Sequence, residues 1–236
     1  MYNLNRTLQQ QTKINEVSVD TVIFTVRNKE LMVLLIKRGH EPFKDMWAVP
    51  GGFLRISETL EDSSRRVLYE RTHVENVYLE QLYCFSNPNR YPNARVITVT
   101  YFALIGSHNL KLSHDPDIDI KGLKWQSVYN LPPLAFDHDM IIKFALKRLR
   151  EKLEFSNIAF QLLPLKFTLT ELQKVYEIIQ NKPLDKRNFR KKMISLDILD
   201  ELDEYTKSTS KRPARLYSFK ILEDEDTMDE RRLASF

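Results

Sequence analysis

Two glutamates, Glu58 and Glu70, lie in the stretch of the chain best suited to bind a metal ion. Mg²⁺ prefers several hard oxygen ligands, and a metal ion held by carboxylates can activate a water molecule. Just before them comes Pro50-Gly51-Gly52, where the chain can turn sharply and pass close to a ligand. Arg71 directly follows Glu70, however, and a positive charge so close to a carboxylate opposes cation binding. The two glutamates are therefore weak candidates for metal ligands.

A strand, a turn and a helix are needed to position these side chains. The apolar run Trp47–Val49 predicts the strand, and the glycines after it predict the turn. The helix is predicted from residues that recur on one face, which are Leu60, Ser63, Ser64, Val67 and Leu68.

This strand, turn and helix resemble the Nudix motif of diphosphate hydrolases, which Gly52, Glu58, Arg66 and Glu70 match. Val67 and Arg71 stand where the motif has two further glutamates, and His73 stands where it has a glycine. Because the hydrolase chemistry needs several carboxylates, we expect no catalytic residues and no metal cofactor. Mg²⁺ would be needed only if hydrolase activity were retained. The pocket of such a fold can persist after its chemistry is lost.

A second chemistry is indicated late in the chain, where five of the seven residues from Lys186 to Lys192 are basic. Phe189, Met193 and Leu196 form an apolar face on the same predicted helix. A solvated surface is the usual explanation of such a charge run. Here a preceding helix, for which Thr170 and Gln173 predict a capping box, and a basic loop favour a helix-turn-helix with a wing. The predicted DNA contacts are Lys186, Arg187, Asn188, Arg190, Lys191, Lys211, Arg212 and Arg215.

The remaining elements predict an α+β fold with an N-terminal α/β/α sandwich and a C-terminal winged helix-turn-helix domain. Residues 1–154 are predicted to form the first domain, with 1–15 flexible and 137–154 as a linker helix capped by Asp137. Residues 155–222 would form the second domain, and 223–236 a disordered acidic tail. The strands of the sandwich are predicted at Ser18–Val26, Leu31–Arg38, Trp47–Val49, Asn76–Phe85, Arg95–Ile105 and Gly122–Val128.

Further segments extend the resemblance to most of the chain, namely EPFKDMWAVPGGF, LPPLAFDH, FTLTELQKVYEII and DKRNFRKKM. They are similar to the Nudix-related transcriptional regulators of bacteria. The resemblance implies a homodimer that binds a double-stranded DNA operator and responds to a small-molecule effector. Some members of that family sense ADP-ribose and control NAD metabolism, and others sense a pentose such as arabinose. We selected effector-binding candidates by polarity and position, and they are Arg38, Trp47, Arg55, Glu58, Arg90 and Tyr101.

The sequence is compatible with three functions. The first is a sequence-specific regulator with an effector pocket. The second is a hydrolase of ADP-ribose or a related nucleoside diphosphate, and the third is a scaffold that binds nucleic acid without sequence preference. For each effector-binding candidate, packing or a surface salt bridge competes with ligand contact.

Composition sets the remaining limits. A net charge of +4 and 42% hydrophobic residues are typical of a globular protein with a real core. The single cysteine, Cys84, excludes an intramolecular disulfide, and its apolar surroundings predict that it is buried. The sequence shows neither a signal peptide nor a long apolar run, so we expect a cytoplasmic protein without a membrane partner.

Overall fold

The computed structural model describes residues 16–73, 75, 77–107, 120–206 and 213–220. The predicted flexible arm (1–15), the acidic tail (223–236) and two predicted DNA contacts, Lys211 and Arg212, lie outside the described residues. Within the described part, no helix is both long and apolar enough to cross a membrane.

A β-hairpin forms the centre of the first domain, and its two strands correspond to the predicted Ser18–Val26 and Leu31–Arg38. Strands β1 (Glu16–Arg27) and β2 (Glu30–Arg38) pair antiparallel. Asn28 and Lys29 connect them with φ angles of 53° and 63°. Two consecutive positive φ values are typical of the tight turns whose twist matches that of the flanking strands.

Five further strands complete a seven-stranded mixed sheet. They are β3 (Trp47–Ala48), β4 (Gly51–Phe53), β5 (Tyr78–Phe85), β6 (Val96–Leu104) and β7 (Ile120–Ser127). The main strand order is β3-β2-β1-β6-β5, with β4 paired to β1 and β7 to β2. Strand β6 runs parallel to β1, and the other pairs are antiparallel. Every residue of β1 from Val19 to Thr25 is buried, because both faces of the sheet are covered.

Helix α1 (Leu60–Thr72) covers one face of the sheet. A capping box between Thr59 and Asp62 begins the helix. Its buried serine Ser64 packs closely against β1, and the hydroxyls of Ser64 and Thr21 are 2.8 Å apart. Helix α2 (His138–Phe155) covers the other face through Ile141, Ile142, Ala145 and Leu149. This arrangement confirms the α/β/α sandwich.

The second domain contains two helices and a two-stranded sheet, in agreement with the predicted winged helix-turn-helix. A 3₁₀-helix (Ile158–Leu162) leads into α3 (Leu169–Gln180) and α4 (Lys186–Ser195), and β8 (Leu199–Tyr205) pairs with β9 (Arg215–Phe219). The capping box predicted for α3 is wrong by two residues. Thr168 and Glu171 form it instead of Thr170 and Gln173.

The two domains share one apolar core and a polar contact. Buried residues continue from the sheet across α2 into α3 and α4. Tyr129 donates its hydroxyl to the carbonyl of Ile178 at 2.9 Å, and Arg150 Nε donates to the carbonyl of Ile179 at 2.9 Å. These two carbonyls belong to the last turn of α3, where helix backbone groups need outside partners. We call Tyr129 and Arg150 the α3 clamp.

Candidate functional site

A cavity of about 270 Å³ opens in the first domain, beside β1, β4 and the start of α2. Its described lining includes three arginines, Arg38, Arg71 and Arg90. Asp20 is the only carboxylate among those lining residues. Charged and polar groups that converge in a concave site are typical of small-molecule binding, and this excess of positive charge favours an anionic ligand.

Arg90 is the most constrained of the three arginines, with 8% of its surface exposed. Its Nε and Nη2 donate to Asp137 Oδ2 and Oδ1 at 3.0 and 2.7 Å, and its Nη1 donates to the Thr98 hydroxyl. Asp20 Oδ2 is 4.0 Å from Nη2. A bidentate arginine–carboxylate pair fixes the direction of both groups. The pair therefore joins the cavity wall to the residue that precedes α2.

Asp137 consequently does not have the role predicted for it. It is the residue before α2, but its side chain makes no capping hydrogen bond to the helix. The Arg90 guanidinium engages both of its carboxylate oxygens instead. The cap prediction was wrong because local sequence cannot reveal a partner 47 residues away.

His138, the first residue of α2, ties the helix to the cavity a second time. Its Nδ1 accepts a hydrogen bond from the Val49 backbone N–H at 2.9 Å. Its Nε2 faces Asp20 Oδ2 at 3.5 Å. An acceptor at Nδ1 places the ring proton on Nε2, toward the carboxylate. The start of α2 is thus held by both sides of the cavity.

Gly51 has a different role from the one that the sequence suggested. Gly51 and Gly52 belong to the extended strand β4, and neither glycine has a positive φ. A Cβ atom at Gly51 would lie 1.9 Å from Asp20 Oδ1. The residue must therefore be glycine so that the Asp20 carboxylate can lie against the backbone of β4.

Aromatic rings form another side of the cavity. Tyr91 and Phe136 are stacked with centroids 5.3 Å apart and an interplanar angle of 16°. The Arg38 guanidinium lies over Phe136 at 4.8 Å from its centroid. Flat aromatic and guanidinium surfaces suit a nucleobase or a sugar face.

Two of the six effector-binding candidates, Arg38 and Arg90, line this cavity. Trp47 lies outside the lining, with Lys124 4.1 Å above its ring. Tyr101 is buried in the core beneath α1, where burial raises the pKa of its phenol. Arg55 and Glu58 precede α1, contact each other at 3.6 Å and lie outside the lining. The cavity residues that the sequence did not single out as ligand candidates include Asp20, Tyr91 and Phe136, which only the fold brings together.

The two candidate metal ligands, Glu58 and Glu70, form ion pairs with arginines. Arg66 donates to Glu58 at 2.5 and 3.0 Å, and this contact lowers the Glu58 pKa to about 2. Glu70 lies 3.5 Å from Arg66 and 3.6 Å from Arg55. Among the described residues, no three carboxylate, histidine or cysteine side chains are grouped as a metal ion requires. The residues present do not fit the Mg²⁺ that the Nudix motif implies.

The predicted DNA-binding residues of α4 fall into two groups. Lys186, Arg187, Asn188 and Lys191 are exposed. Arg190 is partly buried, and its Nη2 donates to the Thr170 hydroxyl of α3 at 3.3 Å. The four exposed residues can therefore reach a partner directly, whereas Arg190 holds α4 against α3.

The strands of the wing carry acidic side chains beside the predicted basic contact. Arg215 Nη1 lies 2.6 Å from Glu201 Oε2, and its Nη2 donates to the Tyr205 hydroxyl at 3.0 Å. These contacts raise the pKa of the Arg215 guanidinium. Arg215 thus has an ion-pair partner within the wing, which a DNA phosphate would have to replace.

Comparisons with known proteins match both halves of the chain. Residues 15–144 match the NUDIX domain, and residues 159–219 match the NrtR DNA-binding winged helix domain. The "ADPR responsive transcriptional repressor NtrR" of Acinetobacter baylyi is 38% identical over 213 residues, which are 89% of this chain and 83% of that protein. The "ADP-ribose pyrophosphatase" of Methanocaldococcus jannaschii is 36% identical over 127 residues, 54% of this chain and 70% of that protein.

Solved structures extend the similarity to three dimensions. Shewanella oneidensis NrtR in complex with a 27mer DNA superimposes with a TM-score of 0.74 at 34% identity, over 86% of this chain and 93% of that one. The NUDIX domain of the same protein in complex with ADP ribose gives a TM-score of 0.54 at 35% identity, over 58% of this chain and 90% of that one.

Proposed function

The chain belongs to the NrtR-type family of regulators, which join a NUDIX domain to a DNA-binding winged helix domain, and we propose that it is a repressor whose NUDIX domain binds ADP-ribose. Binding of the effector would change its affinity for a double-stranded operator. The regulated genes would be genes of NAD metabolism, as the sequence resemblance implies.

The observation that supports this effector is the cavity, which combines three arginines with a stacked aromatic pair. The diphosphate of ADP-ribose would pair with the guanidinium groups, and its adenine or ribose would pack on the rings. A pentose such as arabinose carries no charge and would bury the arginines without an anion, which costs free energy. The cavity therefore favours the nucleotide sugar over the pentose.

Hydrolysis is the second candidate function, and the likeness to the M. jannaschii pyrophosphatase is the observation that favours it. The side chains argue against it here. Glu58 and Glu70 are paired with Arg66, and Arg71 stands at the position of a further motif glutamate. We propose that the domain binds its nucleotide without hydrolysing it.

We propose that the protein acts as a homodimer. One winged helix contacts only a short DNA site, whereas a two-fold pair on a palindrome gains affinity and register. The first domain offers an apolar surface for the contact: Tyr83 and Phe144 have ring centroids 5.0 Å apart and are 53% and 36% exposed, and Met140 is 53% exposed. Sedimentation at micromolar concentration tests this, and a monomer both with and without DNA would refute it.

Helix α2 gives the effector a route to the DNA-binding domain. Its first residue, His138, lines the cavity, and Arg150 near its other end belongs to the α3 clamp. A ligand that shifts the start of α2 would therefore shift α3 and α4 in each subunit. Such coupling requires that ADP-ribose bind with different affinity to the protein before and after this shift of α3 and α4.

The test is to titrate the full-length protein onto an operator selected from random duplexes, with and without ADP-ribose. We expect ADP-ribose to change the operator affinity and arabinose to leave it unchanged. At one hundred times its dissociation constant, the effector should also stabilise the fold by about 2.7 kcal/mol. Equal affinity and an equal salt slope on operator and scrambled DNA would instead identify a scaffold without sequence preference.

A further inference from the structure

The side chains of α1 do not suit Mg²⁺, but one of them, Arg71, itself carries a positive charge. We propose that the Arg71 guanidinium takes the place of the divalent cation, so that the diphosphate of the effector is bound without metal. This inference rests on the proposed function, since it concerns how the same cavity holds an ADP-ribose-like anion.

The direction of Arg71 is the first argument. It lies in the last turn of α1, is 6% exposed and lines the cavity. Glu70 is the adjacent residue, and successive helical side chains diverge by about 100°. Glu70 therefore points in a different direction from Arg71. It does not line the cavity and lies within 3.6 Å of both Arg55 and Arg66. The helix presents a cation to the cavity and keeps its carboxylates outside.

The charge of the cavity is the second argument. Arg38, Arg71 and Arg90 line it together with one described carboxylate, Asp20. That carboxylate already faces Arg90 at 4.0 Å and His138 at 3.5 Å. Asp137 pairs with Arg90 at 2.7 Å, so three guanidinium groups stand against two carboxylates in all. A divalent cation placed among them would still meet net repulsion in a partly buried site. A diphosphate would be attracted, and arginine can bind its oxygens through two parallel hydrogen bonds.

The alternative is that Arg71 only packs α1 against the sheet. Burying a guanidinium costs desolvation energy, which an apolar residue at this position would avoid. A purely structural arginine would affect the stability of the fold and would not affect how tightly an anion binds. The two roles therefore separate in a binding measurement on folded protein.

The experiment measures ADP-ribose binding to the full-length protein by calorimetry, in EDTA and in millimolar Mg²⁺. We expect the parent to bind equally well in both. Arg71→Gln should raise the dissociation constant at least about tenfold, because a hydrogen bond to a charged group is lost. Arg71→Lys, which keeps the charge but not the bidentate geometry, should lie between the two. Arg65→Gln, on the same helix but outside the cavity lining, is the matched control and should match the parent.

The outcomes separate the inference from the function on which it rests. ADP-ribose binding that requires Mg²⁺ would overturn the role of Arg71 and leave ADP-ribose as the effector. Parent-like affinity in Arg71→Gln, with an unchanged thermal unfolding midpoint, would overturn it as well. If Arg71→Gln fails to fold, Arg71→Lys decides, and metal-independent parent-like binding in that variant would show that the bidentate contact is not used. No binding in either buffer would refute the effector and this inference together.

Discussion

The Arg90 guanidinium and the Asp137 carboxylate form a two-bond ion pair between the cavity wall and the residue that precedes α2, with bonds of 3.0 and 2.7 Å. Arg90 is also a cavity residue, so an anionic ligand would compete with Asp137 for the same guanidinium. His138 follows directly and is bound to the opposite wall through the Val49 N–H. A ligand in the cavity would therefore act on contacts that hold the start of α2.

This arrangement predicts that His138→Ala uncouples the two domains. The variant loses the hydrogen bond to Val49 but keeps Arg90 and the exposed residues of α4. We expect its affinities for ADP-ribose and for the operator, measured separately, to remain near those of the parent. The effect of each ligand on the affinity of the other should shrink, because coupling is reciprocal. If saturating ADP-ribose changes the operator affinity of the variant as fully as that of the parent, His138 has no coupling role.

A second prediction concerns hydrolysis. Glu58 and Glu70 are both paired with arginine, so ADP-ribose turnover in the presence of Mg²⁺ should be negligible. Chromatography of the products AMP and ribose 5-phosphate after a long incubation would measure it. Turnover of roughly 1 per second or faster, comparable to an ordinary enzyme, would contradict the prediction if Glu70→Gln then abolished it.

The local elements could be predicted from the sequence, because their signals are local. Runs of β-branched and other aliphatic residues predicted β1, β2 and β6, and the basic run with its apolar face predicted α4. The capping box was misplaced because Thr168 and Thr170 both precede an acidic or amide residue at the required spacing. The local sequence does not distinguish the two threonines. The helix begins after Thr168, and in that position Leu169 and Leu172 are buried.

The cavity could not be assembled from the sequence, because its contacts join distant segments. Asp20, Arg90 and His138 come from β1, the loop before β6 and the start of α2. Cys84 shows the same limit: it was predicted to be buried and is exposed. Strand β5 lies at the sheet edge, and its pairing register shifts between Gln81 and Tyr83, so the apolar composition of the strand did not determine which residues are covered.

The Glu58–Arg66 pair predicts a specific pH dependence of stability. The hydrogen bonds from Arg66 lower the Glu58 pKa from 4.5 to about 2. A depressed carboxyl pKa stabilises the fold fully above the unfolded value of 4.5, and the contribution is lost as the pH falls toward 2. Urea unfolding between pH 5 and pH 2 should therefore show a shallower loss of stability in Glu58→Gln than in the parent. Glu75→Gln, a change at an exposed residue, is the control and should follow the parent curve.

The α3 clamp predicts that Tyr129→Phe loosens the contact between the domains. The substitution removes only the hydroxyl that donates to Ile178, so about 1 kcal/mol of stabilisation should be lost. Hydrogen exchange should increase at the last turn of α3, and binding of ADP-ribose should not change. Unchanged exchange there would show that the apolar core alone fixes α3 to the first domain.

The last prediction assigns different roles to α4 and to the wing. Arg187 and Asn188 are exposed on α4, and guanidinium and amide groups can form bidentate contacts with guanine and adenine edges. Arg187→Ala should therefore cost about 1–3 kcal/mol at the operator and relax the preference at one base position. Arg190 is also among the DNA contacts predicted from the sequence. Its contact with Thr170 predicts instead a loss of affinity without a change of preference, because α4 would be less firmly held.

Lys211 in the predicted wing loop should contact phosphate, so its replacement by alanine should weaken all duplexes alike and reduce the salt slope by about 1. Titrations of the three variants on operator and scrambled duplexes at several salt concentrations measure both effects. The assignment fails if the Lys211 variant changes sequence preference while the Arg187 variant retains that of the parent. A change of preference in Arg190→Ala would instead show that its guanidinium leaves Thr170 and contacts a base when DNA is bound.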